Sequence, residues 1–248
     1  TSVSYFAGDK IALATSGAKL MEHDDNKYVY HLVENLCITA GLPAPKIYLI
    51  EDNSINAFAT GRKPELSSIA VTRGAIDKLT NEELEGVIAH ELSHVQNYDI
   101  RFMTLVAVMV GAIAIMSDIF MRTRIFGGRR SNDREGGGQL GLILLIVGII
   151  LAILSPLIAE LIKLAISRRR EYLADASGSL LTRYPEGLAS ALEKIAMENQ
   201  PLRTASKATA HLFIASPFGS GKKFANLFST HPPIEERIKR LRDLLGQA

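Results

Sequence analysis

The 248-residue sequence predicts an α+β fold, mainly helical, with a small sheet beside one long helix and a hydrophobic two-helix hairpin inserted farther along. Three observations predict it. Short runs rich in β-branched and apolar residues cluster between residues 46 and 72. Apolar residues recur at helical spacing through much of the remainder. Two stretches, Phe102–Met121 and Leu140–Ala159, are each about twenty residues long and nearly free of charge, with Asp118 the one exception.

Taken in order, Asn26 to Ala40 reads as an amphipathic helix, ended by Gly41 and the Pro43/Pro45 pair. Lys46 to Ile50 reads as a strand. Ile55 to Thr60 and Ser68 to Thr72 are two more, joined by a turn containing Gly61 and Pro64. A short helix from Gly74 to Leu79 follows. Thr80-Asn81-Glu82-Glu83 has the S/T-x-x-E form of a capping box and starts a longer helix. In it Leu84, Val87, Ile88, Leu92 and Val95 form one inward stripe. The first apolar segment comes next, then an Arg/Gly-rich loop from Arg122 to Gln139 that reads as solvated, then the second. Helical pattern continues past Arg168-Arg169-Arg170 to Leu181, and Pro185 to Asn199 is another amphipathic helix. Ser206 to Thr230 is rich in Gly, Ser and Lys and reads as a long surface excursion. Pro232 to Leu245 closes with a charged helix, proline in its first turn. These elements predict residues 1–101 as the first part of a catalytic domain, 102–160 as a membrane hairpin and 161–248 as the second part.

Composition narrows the function classes. The net charge of +2 gives no basic field for nucleic acid. The single cysteine, Cys37, sits in an apolar periodic stretch; it reads as a buried small hydrophobe and suits a reducing compartment. The apolar segments read as membrane helices in preference to buried core helices, because a chain of this size has little protein with which to wrap them. The chain opens on threonine, without a signal peptide, and reads as starting inside a longer product.

His90-Glu91-Leu92-Ser93-His94 carries the chemistry. Histidines four apart share one helix face, so both imidazoles reach one zinc ion, and the intervening glutamate reaches a water beside the metal. That pattern is the core of a zinc peptidase, which makes the fold zincin-type, with the hairpin inserted between the zinc-ligand helices. Asn97-Tyr98-Asp99 stands where a metzincin would carry its third histidine, so the third ligand comes from another helix. Glu171 and Asp175 are four apart and share a face. Spacing alone leaves open which one binds metal, or whether Glu171 pairs with Arg168 and Asp175 is merely solvated. Asn56-Ala57-Phe58 alone reads as a buried strand after a turn asparagine. His23 and His31 read as having no chemical role.

"INAFATG", HELSH, "RRREYLADASG" and "FSTHPPIEERI", in this order, make the chain resemble the HtpX-like integral-membrane zinc metallopeptidases, relatives of the CAAX prenyl zinc proteases. The resemblance covers nearly the whole chain. It implies one Zn²⁺ per chain on His90, His94 and Glu171, with Asp175 supporting a ligand imidazole. It implies Glu91 as general base, Asn56, Ala57 and Phe58 on an edge strand lining the cleft, and His231 as donor to the oxyanion. His211 is a competing donor or ligand, and a helix-start role for His231 is the bland alternative. The resemblance also implies a membrane hairpin ahead of Thr1 and a multi-pass protein of the cell membrane, its catalytic domain facing the cytoplasm. Arg122, Arg124, Arg129, Arg130 and Arg134 in the hairpin loop oppose that topology, since Arg168 to Arg170 mark the catalytic side as cytoplasmic too. The implied function is an endopeptidase of quality control, cleaving membrane or membrane-associated proteins. Alternatives are a dedicated processing peptidase for one precursor and a non-catalytic membrane scaffold.

Overall fold

The computed structural model describes residues 2–105, 168–198, 200–202, 209, 212–215 and 232–245, with a few scattered positions between 108 and 158. The two apolar segments, the loop between them, His211 and His231 lie largely or wholly outside these residues. Among the described residues no helix is long and apolar enough to cross a membrane.

The order is α1 (Ser2–Thr15), β1 (Lys19–Leu20), α2 (Lys27–Ala40), β2 (Lys46–Ile50), β3 (Ala57–Gly61), a 3-10 turn at Pro64–Leu66, β4 (Ser67–Thr72), α3 (Arg73–Lys78), α4 (Asn81–Gln96), α5 (Arg168–Thr182), α6 (Pro185–Glu198) and α7 (Ile234–Leu245). The fold is mainly helical with a small mixed sheet. Helix α2 begins where the Asn26 side chain accepts the Val29 N–H and ends at Gly41, which is left-handed at φ 65°. Helix α4 carries both halves of the capping box: the Thr80 side chain accepts from Glu83 N, and the Glu83 carboxylate accepts from Thr80 N. Helix α1 and strand β1 have no counterpart in the sequence reading.

The sheet order is β1-β2-β4-β3, with β2 parallel to β4 and the outer pairs antiparallel. Among the described residues β3 therefore lies at one edge of the sheet. Both faces of the sheet are covered. Ile47, Ala57, Ala59, Ile69 and Val71 join the cluster formed with α2, α4 and α6, whereas Ile50, Phe58 and Ala70 face a second cluster with Ala12, Leu13, Met103, Leu212 and Phe213. That alternation is the period-two signature of a strand buried on two sides. Leu212, Phe213 and Ile214 are buried, so this part of the expected surface excursion is core. The correction has a simple cause: three apolar residues were diluted by a Gly/Ser/Lys-rich neighbourhood.

Helix α4 runs between α5 and α6 at short range. A Cβ on Gly86 would lie 2.6 Å from the Leu188 backbone nitrogen, and one on Gly178 of α5 would lie 3.0 Å from the His90 nitrogen. Backbone meets backbone at both crossings, which brings α5 close enough to present side chains to the α4 histidines. Gly86→Ala should lower stability by about 1–3 kcal/mol, since the intruding methyl meets main chain that cannot rotate away. The check is a lower denaturant midpoint at unchanged slope.

Candidate metal centre and active site

Helix α4 presents His90, Glu91 and His94 inward, all 3 % exposed or less. Their imidazoles stand edge to face, with the two Nε2 atoms 3.2 Å apart. From α5, Glu171 brings Oε2 to 3.8 Å from His90 Nε2 and Oε1 to 3.6 Å from His94 Nε2. Ligands about 2.0–2.1 Å from a tetrahedral zinc lie about 3.4 Å from one another. These three groups have that spacing and can hold one metal ion.

Each imidazole is oriented from behind. His90 Nδ1 is 3.0 Å from Asp175 Oδ1. His94 Nδ1 is 3.1 Å from Asp99 Oδ2, and the other Asp99 oxygen accepts from Arg170 Nη1 at 2.8 Å. Such carboxylate partners fix the tautomer that leaves Nε2 free for a metal. Asp99 was not foreseen; it reaches His94 because the chain turns just past α4, with Tyr98 left-handed at φ 59°.

Arg237 of α7 is the second unforeseen residue. It is 1 % exposed and grips Asp175 with two bonds, Nε to Oδ2 at 2.9 Å and Nη2 to Oδ1 at 2.6 Å. Its Nη1 lies 3.7 Å from Glu171 Oε2. Arg237 and Arg170 stand against Glu91, Asp99, Glu171 and Asp175. With neutral imidazoles that set carries a formal excess of two negative charges, which one divalent cation balances.

Protonation follows from this enclosure. Burial first, then the neighbouring Glu171 charge, pushes the Glu91 carboxyl up to about 7, although His94, the Ala59 N–H and Arg237 favour its ionised form. That value suits a group that takes and returns a proton near neutral pH. Burial, and then Arg237, hold His90 down to about 4 against the pull of Asp175. Burial also opposes charge on His94, but Asp99, Glu171 and Glu91 outweigh it and raise His94 to about 9. A cation arriving at His94 Nε2 must displace that proton.

Ala57 packs in the same cluster as α4, whereas Phe58 faces the second cluster on the other side of the sheet. The Ala59 N–H of β3 is close to the Glu91 carboxylate and favours its ionised form. Ala57 O accepts from Ile214 N at 2.9 Å, and Asn56 Nδ2 donates to Ala215 O at 3.3 Å.

The model of peptidase family M48 matches residues 23–245. A protease HtpX homolog from Dictyoglomus turgidum is 51 % identical over 244 residues, covering 98 % of this chain and 78 % of its own. Those from Caldanaerobacter subterraneus and Pyrococcus abyssi are 48 % and 47 % identical, each over 98 % of this chain and over 80 % and 82 % of their own. The crystal structure of S. mikatae Ste24p shares the fold at a TM-score of 0.56 and 18 % identity, over 97 % of this chain and 57 % of that one. A family match across almost the entire sequence, with near-half identity to several relatives, means that the chain belongs to peptidase family M48 and is a zinc metallopeptidase.

Proposed function

We propose that the chain is a membrane-bound endopeptidase of protein quality control that cleaves extended segments of membrane or membrane-associated proteins, with zinc held by His90, His94 and Glu171. One observation carries the reading: a ligand triangle of zinc spacing, with Glu91 buried beside it and close to the Ala59 N–H of the edge strand. The zinc, when bound, supplies a Lewis acid that polarises the scissile carbonyl and acidifies water.

This chain's own residues supply the rest. Asp175 and Asp99 hold the imidazoles in register. Glu91 takes a proton from the attacking water and delivers it to the departing amine. Asn56, Ala57 and Phe58, on the edge strand, offer main-chain and amide groups to an extended peptide, which binds without demanding a sequence. His231 donates to the oxyanion as charge develops there. Residues 1–101 and 161–248 form the two halves of the catalytic domain. Residues 102–160 form a hydrophobic hairpin in the cell membrane, leaving and returning on the cytoplasmic side, because His90 and Glu171 meet at one metal. The two low-charge stretches and the HtpX-like motifs support that topology.

The test is turnover of an unfolded membrane polypeptide by the purified protein in detergent. Chelation should abolish cleavage, and stoichiometric zinc should restore it. His231→Ala should keep full zinc and KM while kcat drops by roughly a hundredfold. Cleavage that survives complete zinc removal would sink the proposed reading, and a normal kcat with full zinc would take His231 out of the site.

A further inference from the structure

Resting on the peptidase reading, we infer that residues Phe213–Ala215 occupy the substrate's own place, on the carboxyl side of the bond to be cut, and that Arg237 and Asn56 are the side chains that grip substrate carbonyls there.

The edge of β3 sets the register. Asn56 O accepts from Thr72 N, toward β4, so by alternation Ala57 and Ala59 point their polar groups away from the sheet. That outer edge is taken. Phe58 faces Phe213 in an antiparallel bridge, with their rings 4.9 Å apart and edge to face. Ile214 N–H bonds Ala57 O at 2.9 Å. Two side chains then hold the next carbonyls: Arg237 Nη1 donates to Ile214 O at 3.1 Å, and Asn56 Nδ2 to Ala215 O at 3.3 Å. Every one of these bonds goes to backbone. That is what a cleft accepting many sequences requires, since main-chain groups are common to all peptides.

Position relative to the chemistry gives the direction. The Ala59 N–H is close to the Glu91 carboxylate, so the reacting centre is level with Ala59. The antiparallel segment reaches Ile214 and Ala215 opposite Ala57 and Asn56, past that level toward its carboxyl end. The guanidinium that grips Ile214 O also bonds Asp175 and approaches Glu171, so occupancy of the edge and the metal centre share one residue.

An incoming peptide can make the same bonds, exchanging like for like. The internal segment competes at the high effective concentration of a tethered ligand. Short, weak peptides lose that competition; long unfolded segments with further edge contacts win. The substrate residue replacing Ile214 enters surroundings that leave Ile214 1 % exposed within the larger apolar cluster, so an aliphatic side chain fits there.

The test uses the full zinc-loaded chain bearing Phe58→Cys and Phe213→Cys, positions directly opposed in the antiparallel bridge and suited to a disulfide. Cys37 is buried, its thiol pushed up to about 11 by burial and then by Glu34, so it does not interfere. The oxidised form should cleave an internally quenched unfolded peptide at least tenfold more slowly than the same molecules reduced with a phosphine, at equal zinc content. Equal rates with the disulfide intact would overturn the inference. A second measurement needs no substitution: a peptide hydroxamate with an Ile–Ala extension is added to the wild-type protein, and amide exchange is followed. Amides of residues 212–215 should lose protection while β3 keeps its own. Retained protection at 212–215 with the inhibitor bound would overturn the inference. Absence of both zinc-dependent turnover and hydroxamate binding overturns it together with the peptidase reading, whereas turnover indifferent to the disulfide overturns this inference alone.

Discussion

Glu91→Gln should leave bound zinc at full occupancy while kcat falls by about a hundredfold or more, equivalent to about 2.7 kcal/mol of lost transition-state stabilisation. The amide has the carboxylate's shape and keeps an acceptor oxygen toward the nearby Ala59 N–H. It cannot accept a proton. Glu91 is 2 % exposed, so bulk water cannot stand in as base without entering the site. Zinc content, kcat and KM measured on one preparation settle the point. Turnover at the wild-type rate would remove Glu91 from the role of base.

The pair on α5 should separate by two readouts that run in opposite directions. Glu171 is the carboxylate that approaches both imidazole Nε2 atoms, so Glu171→Ala should abolish zinc binding at concentrations that saturate the wild type. Asp175 stands behind His90 and carries the twin bonds of Arg237. Asp175→Ala should weaken zinc by roughly ten- to a hundredfold. It also strands a buried guanidinium, a loss of about 3–5 kcal/mol in the metal-free protein. Chelator-competition titration should therefore rank Glu171→Ala the more damaging, and unfolding of the apo form should rank Asp175→Ala so. The reverse order in both would mean that ligand and support are exchanged.

What was legible in the sequence was what is local. The Thr80 capping box, the Asn26 and Gly41 ends of α2, and strand β2 rest on residues within a few positions of one another. The HExxH triplet belongs to the same class, since helix geometry alone puts both histidines on one face. Local spacing could not rank Glu171 against Asp175, because the i, i+4 relation places both on one face of α5. Only the packing of α5 on α4, permitted at Gly178, sends one carboxylate to Nε2 and the other to Nδ1. Arg237 was illegible for the same reason: its partners come from a different helix and from the chain at Ile214. Its one trace is an arginine within an otherwise ordinary amphipathic helix. Strand β1 left no signal at all, being two residues long and exposed on both.

The site is divided along the chain: two ligands on α4, the third on α5, and the balancing Arg237 on α7, the last described helix. Synthesis runs in that same order. A nascent chain that has made α4 holds two imidazoles and a glutamate but lacks the third metal ligand, and one that has made α5 still lacks the cation that neutralises Asp175. Incomplete products thus cannot form the finished centre. Docking of α7 is the step that supplies the buried cation opposite Asp175.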